Sequence, residues 1–576
     1  MCAITGLVAL SGAPDARRLL ESIRHRGPDH SGWVRRGACE IAAARLAIMD
    51  PAAGAQPMVD GEKGVCLAFN GEIYNAASLR DALTARGHRF RTACDTEVVL
   101  RGWIEWGPAL AGRLSGMFAF AVLEDERLTL VRDPLGIKPL RFAHLGAAGT
   151  FLFASEAKAL LRHPQLSPLL DEHAFADFIA LGYPTGARTF FAGISTLPPG
   201  CSLTVTWHDG LRVSEPKPYA RIAPAEGGKP AAAEEVFTEA LLAAVKSHLQ
   251  ADTEVVLLLS GGIDSATLAF MAAELSGKRL TAFTVADAAD HPDAVAARRV
   301  AQAIGAEHRL LTPGFDDYLA AIPATIAAVE APDIHAGPFL HLLCREIGRS
   351  AKVCLNGEGA DETLGGYFNP PATLAALRDG FRRAQAGGLT PSDRAYEIRE
   401  RLVAAAQDRR NGIRGILDVE LGELLERAQL DPVDHISMAS AVEMRVPYLD
   451  SGVQAVARAL APDDLVDTAL GITKRVLRRA ALRRYGEPIA DMALRSKWMM
   501  PDAGGRHAAN FDRLCERMLS DDDVRRSDFG VCFAGKKDLV LFEVFRQTYF
   551  SAAPAQCPRM DDLLAHLTGA PLAVAS

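Results

Sequence analysis

Residues 255–276 read VVLLLSGGIDSATLAFMAAELS, and this stretch decides the fold of the second half of the chain. The run 255–259 is β-branched and leucine without a polar break, which suits a strand buried on both faces. A Gly-Gly turn follows, and then ATLAFMAAELS, free of Gly and Pro, reads as a helix. The alternation continues outward: RLTAFTV as a strand, PDAVAARRVAQAIGA as a helix, HRLLT as a strand again. Upstream, EEVFTEALLAAVKSHL is amphipathic at helical spacing. Strands alternating with helices predict a doubly wound parallel α/β sheet. Beyond about residue 370 the chain reads as a mainly helical extension.

The turn itself, SGGIDS (260–265), carries chemistry. Gly261 and Gly262 let backbone N–H groups approach phosphate oxygens, and the following helix adds its positive end. Ser260 and Ser265 supply hydroxyl donors, and Asp264 can hold a magnesium ion. No Walker A lysine accompanies the turn, so the usual γ-phosphate cradle is excluded. The S-G-G-x-D-S pattern belongs to enzymes that cleave ATP to AMP and pyrophosphate. A second acidic turn, GEGADE (357–362), follows the short strand KVCLN. Glu358, Asp361 and Glu362 repel one another there unless a metal or substrate cation compensates. Together the two turns predict the walls of an ATP and magnesium site, with Asp264 and Asp361 on the metal.

The first half differs. Short apolar runs broken by Gly, Pro, Asn and Asp, such as GVCLAFNGEIYN and GTFLFASE, predict mostly antiparallel strands with two or three helices. The chain opens MCAITGLVAL, so loss of Met1 leaves Cys2 as a terminal residue bearing both a thiol and an α-amine. The amine can take the thiol proton, so one residue supplies nucleophile and base. RHRGPDHSG (24–32), ARLAIMD (44–50), FNGEIYN (69–75) and CDTEV (94–98) stand as polar islands among the apolar strands. Asn70 and the Gly71 N–H suit an oxyanion formed when Cys2 attacks an amide. Arg45 suits a carboxylate and Asp95 an ammonium, the two groups on the α-carbon of glutamine. The hexapeptide DTEVVL occurs at 95–100, where it reads as a helix start, and at 252–257, where it enters a strand.

Composition narrows the field. A chain of 576 residues with 49% hydrophobic residues predicts two or three globular domains. A net charge of −8 and the lack of a basic cluster argue against nucleic acid as a partner. No apolar run spans a bilayer and no export leader is visible, so neither a membrane partner nor secretion is expected. The ten cysteines form no C-x-x-C pair, which excludes the common zinc and redox motifs and fits a reducing cytoplasm.

The motifs in this order resemble the glutamine-hydrolysing asparagine synthetase family over essentially the whole chain. Cys2, RHRGPD, Arg45 with LAIMD, the Asn70-Gly71-Glu72 trio and Asp95 match class II amidotransferases. SGGIDS, GEGADE with GGY, SMASAVEMRVPYLD (437–450), GITKRVLRRA (471–480) and RSK (495–497) match the synthetase part. The resemblance implies an amino-terminal-nucleophile sandwich at 1–210 and an ATP-pyrophosphatase domain at 233–576, and the Pro-, Gly- and Ala-rich composition between them reads as a linker at 211–232. It implies that Glu72 joins Arg45 and Asp95 at glutamine, that Leu259 and Val285 line the adenine side, and that Asn356 and Gly357 lie near it. Glu358 is expected to orient the acyl-adenylate and take a proton from ammonia. Lys497 and Lys474 are expected to counter phosphate charge. ATP and Mg2+ are the implied cofactors, glutamine and a carboxylic acid the partners, aspartate the leading acceptor, and a homodimer an assembly to be tested.

The chain departs from the family pattern at Asn356, Leu364, Pro432, the WMMP stretch after RSK, and His335 and Gly337 of EAPDIHAGPFLHLL (330–343). Those changes leave both chemical centres intact and set another carboxylic acid beside aspartate as acceptor. Intramolecular amide closure needs no ammonia, so the intact glutaminase set argues against it. A non-catalytic relative would have lost Cys2, Asp264 or Glu358, and all three are present.

Overall fold

The computed structural model describes residues 2–11, 15–220, 232–334, 337–408, 411–495, 505–527, 529–551 and 560. Two antiparallel sheets fill the amino-terminal half. The six strands of the first run in the order Ser195–Thr196, Arg141–Leu145, Thr150–Ala154, Cys2–Ala9, Cys39–Arg45, His30–Arg36. The second is ordered Arg212–Val213, Cys201–Thr206, Arg127–Arg132, Gly116–Glu124, Val65–Ile73, Met58–Asp60, with Lys217–Pro218 also paired to Cys201–Thr206.

Strand alternation builds the layer between them. Ile4 and Val8 point inward beside Ile41, Ala43, Ala68 and Ala121. Ala3, Leu7, Ala42 and Ala44 face the opposite side and join a core shared with the carboxy-terminal half. The sandwich expectation holds. Besides three longer helices, Ala76–Thr84, Asp95–Trp106 and Glu172–Leu181, there are two of six and four residues, Ala16–Glu21 and Ala157–Leu160. Those two are too short to leave a periodic signal.

The carboxy-terminal sheet has five parallel strands in the order Glu307–Leu311, Thr281–Val285, Val255–Leu258, Val353–Leu355, Glu443–Arg445. Chain order reverses direction between Val255–Leu258 and Val353–Leu355. Open α/β sheets bind ligands beyond the strand ends at such a reversal. SGGIDS and GEGADE leave those two strands and so flank the same crevice. Each copy of DTEVVL takes the form its context favours. The first begins the helix Asp95–Trp106 with Asp95 and Glu97 at the helix's positive end. The second leads into the strand at Val255.

Helices dominate beyond residue 370, as expected. A wide-turn π-helix, Glu420–Leu430, passes directly into the helix Asp431–Met438. Pro432 lies at that handover, where the ladder already changes period and a missing N–H does least harm. The two halves meet through aromatic packing, with Phe175 and Phe542 ring centroids 5.0 Å apart and Phe191 and Tyr549 5.1 Å apart. Among the described residues no helix is long and apolar enough to cross a membrane.

Candidate functional site

The first centre lies at one end of the sandwich. Cys2 pairs with Arg45 across the first sheet, and Asn70 lies opposite Ala119 in the second. Cys2, Arg45 and Asn70 share the inward parity of Ile4, Ile41 and Ala68, so the sheet pleat alone aims all three into one space. Cys2 is 4% exposed, and its nitrogen donates to Asn70 Oδ1 at 2.9 Å. Asn70 Nδ2 is buried with no hydrogen-bond partner among the described residues. Burial pushes the Cys2 thiol above its ordinary pKa, against the Leu46 N–H and the charge of Arg45.

Asn70, Gly71 and Glu72 are not in a turn. They lie inside the strand Val65–Ile73. Gly71 takes φ 154°, and a Cβ there would sit 2.0 Å from Met117 O, so only glycine fits. Asp95 starts its helix and accepts from the Ile73 N–H at 3.0 Å. Among the described residues no cation pairs with it, and burial raises its pKa. A substrate ammonium would supply the missing charge. Burial, then Glu443, pushes the Glu72 carboxyl well up, while Arg445 lies 3.4 Å away. Arg45 donates to the carbonyls of Met49, Asp50 and Pro51 at 2.7, 2.8 and 3.1 Å, which fixes that loop over the site.

Two further neighbours had no role assigned from the sequence, Gln56, which no motif marks, and Arg26, which lies in a quoted motif. Gln56 Nε2 donates to Cys2 Sγ at 3.3 Å while its Oε1 accepts from the Phe69 N–H at 2.7 Å. Arg26, within the quoted RHRGPD, reaches Cys2 O at 3.4 Å, Glu156 at 2.8 Å and Asp434 of the other half at 2.6 Å.

The second centre is a cavity of about 290 Å³ beyond the parallel strands. Leu259, Ser260, Gly262, Asp264, Ser265, Val285, Asn356, Gly357, Glu358, Asp361 and Lys474 all line it, so most of the expected nucleotide residues come together. Gly261 supports the turn from behind. It takes φ 75°, and a Cβ would meet Asp293 O at 2.6 Å. Ser260 and Ser265 hydroxyls lie 3.0 Å apart.

Lys474 Nζ sits 2.5 Å from Asp264 and 2.7 Å from Asp361. Burial alone would lower its pKa, but the two carboxylates outweigh that and raise it. Among the described residues no cluster of three His, Cys, Asp or Glu gathers for a metal. Two carboxylates at a phosphate loop are nevertheless the donor set of a magnesium ion bound largely through nucleotide phosphates. Arg478 and Arg495 also line the cavity; Arg478 had not been singled out in the sequence. Lys497, His335 and the WMMP stretch lie outside the described residues. Gly337 and Pro432 line the cavity, whereas Leu364 is fully buried in the core behind it.

Comparison with known proteins accords with this layout. The glutamine amidotransferase domain family matches residues 1–219 and the asparagine synthase family matches residues 236–557. A putative glutamine-hydrolysing asparagine synthetase of Mycobacterium bovis is 33% identical over 539 residues, covering 81% of this chain and 80% of that protein. Asparagine synthetase 3 of Bacillus subtilis is 29% identical over 513 residues, covering 78% and 79%. A probable asparagine synthetase of Schizosaccharomyces pombe is 29% identical over 577 residues, covering 94% and 91%. With an amidotransferase match ahead of a synthetase match that takes in more than half of its length, the chain belongs to the glutamine-hydrolysing asparagine synthetase family.

Proposed function

We propose that this enzyme makes an amide from a carboxylic acid through an acyl-adenylate, with glutamine as nitrogen donor and AMP, pyrophosphate and glutamate as products. Membership of the family supports the coarser statement, glutamine-dependent and ATP-driven amide formation. The Asn70 amide carries the finer reading for the first step: its oxygen holds the Cys2 nitrogen while its Nδ2–H bonds stay buried and unused. An oxyanion formed on attack by Cys2 would take those donors together with the Gly71 N–H. The freed α-amine of Cys2 accepts the thiol proton and passes it to the departing ammonia. Arg45, Glu72 and Asp95 hold the glutamine head group, and water then releases glutamate.

At the second centre the acceptor carboxylate attacks the α-phosphorus of ATP. The SGGIDS turn and Lys474 hold the leaving pyrophosphate, with Lys497 as a further counter-charge. Magnesium, held by Asp264 and Asp361, would supply charge neutralisation on the phosphates when bound. Ammonia crossing from the first centre attacks the acyl carbon, Glu358 takes its proton, and AMP leaves. The relatives' names and the resemblance favour aspartate as acceptor. The cavity wall favours a second reading, a less polar acid. Phosphorus NMR of a turnover mixture tests the shared chemistry: AMP and pyrophosphate are expected, and ADP with orthophosphate would refute it.

A further inference from the structure

We infer that the acceptor is a carboxylic acid with a bulky apolar body rather than a charged amino acid. The inference rests on the adenylation reading above and names the substrate class of that site. The cavity does not end at the nucleotide turns. It continues between Phe178 and Phe190 of the amino-terminal half and Ile334, Leu340, Leu343 and Ile436 of the other. Besides those of the nucleotide turns, polar side chains that line the cavity among the described residues include Tyr183, Asp333, Arg427 and Gln429.

The two charged ones are already engaged. Arg427 donates to Asp431 at 2.9 Å and to the Arg188 carbonyl at 2.7 Å, and Asp333 accepts from the Ile334 N–H at 2.6 Å. An aspartate acceptor would bring an ammonium and a second carboxylate into this space. Both lose water on entry and need partners of full charge. Among the described residues the cations that line the cavity are engaged, Arg427 with Asp431, Lys474 with Asp264 and Asp361, Arg495 with Asp293 and Arg478 with the Thr473 and Ala493 carbonyls, so none is left over for that carboxylate. An aryl or branched-alkyl body meets the wall it finds. One donor is left over: Arg427 Nε is buried without a partner among the described residues. It suits a single hydroxyl, ether or carbonyl oxygen on that body.

The test measures pyrophosphate release by the full-length enzyme with ATP, magnesium and ammonium chloride, across aspartate, acetate, hexanoate, 3-phenylpropanoate and 3-(4-hydroxyphenyl)propanoate. The expected result is a kcat/KM for hexanoate or one of the aryl acids at least about tenfold above aspartate, the scale on which apolar pockets discriminate. Leu340→Trp should shift the preferred acid to a shorter one and Leu340→Ala to a longer one. With folding checked by circular dichroism, an unchanged order of preference among the acids in both folded variants would remove Leu340 from the acceptor wall. Aspartate turnover at or above that of every apolar acid, with AMP as product, overturns the inference and leaves the adenylation reading standing. ADP and orthophosphate as products overturn that reading, and the inference with it.

Discussion

At the scale of single residues, Cys2 and Asn70 divide the first half-reaction between them. Cys2→Ala should abolish glutamine-dependent amide formation and leave ammonia-dependent formation intact, because the second centre has no use for the thiol. Full glutamine-dependent activity in that variant would remove Cys2 as nucleophile. Asn70→Ala takes away the two unused N–H bonds and should lower glutaminase kcat by about a hundredfold with a smaller change in KM. Steady-state glutamate release measures both. These residues were legible because local motifs carry them: Cys2 by its position, Asn70 and Gly71 by an exposed-looking pair inside an apolar run. Gln56 was not legible. Its contact with Cys2 spans 54 residues of sequence and depends on how a loop folds back over the sheet.

At the scale of elements, the helix Asp431–Met438 does what neither sheet does. Pro432, Val433 and Ile436 face the nucleotide cavity, while Asp431 and Asp434 turn to Arg141, Arg26 and Lys138 of the other half. Asp434→Ala would leave Arg26 and Lys138 buried with one anion fewer, and loss of one partner of a buried pair costs about 3–5 kcal/mol. Denaturant unfolding should show a loss of that order, and a change under about 1 kcal/mol would mean that water replaces the carboxylate. The central parallel strands Val255–Leu258 and Val353–Leu355 were legible because apolar runs end at glycine turns, whereas Glu443–Arg445 carries two charges in three residues and gave no strand signal. The bridging role of this helix was not, since helical spacing shows which residues share a face but not that each face meets a different domain.

At the scale of the whole molecule, the seam between the halves is titratable. His248 ends the helix Ala233–His248 with Nδ1 2.7 Å from Ala244 O, and its ring stacks on Tyr74 at 3.8 Å. Burial, then the charge of Arg445, pushes its pKa down to about 3 from an ordinary 6.5. Between those values the unfolded chain binds a proton that the folded one refuses. Its contribution is therefore complete above pH 6.5 and is lost as pH falls toward 3. Each pH unit in that window costs about 1.4 kcal/mol. His248→Phe keeps the ring stack and removes the titration. Between pH 7 and pH 5 the wild-type enzyme should therefore lose about 2 kcal/mol more than the variant, read from urea midpoints. Parallel pH profiles of the two proteins would exclude His248 as the group responsible.

The same seam limits how this polypeptide can be taken apart. Arg26, Lys138, Arg132 and Arg141 all belong to the amino-terminal half, and Asp434, Glu426 and Asp431 that face them belong to the other. A gene split between codons 220 and 232 would yield one fragment with a strip of desolvated cations and another with a strip of anions. Neither fragment could close its core around such a strip alone. The pieces would have to find each other while still loosely folded, at a rate that falls steeply as salt is added. A family that keeps both activities on one chain avoids that search, and a transplanted amidotransferase half would need its acidic counterpart carried along with it.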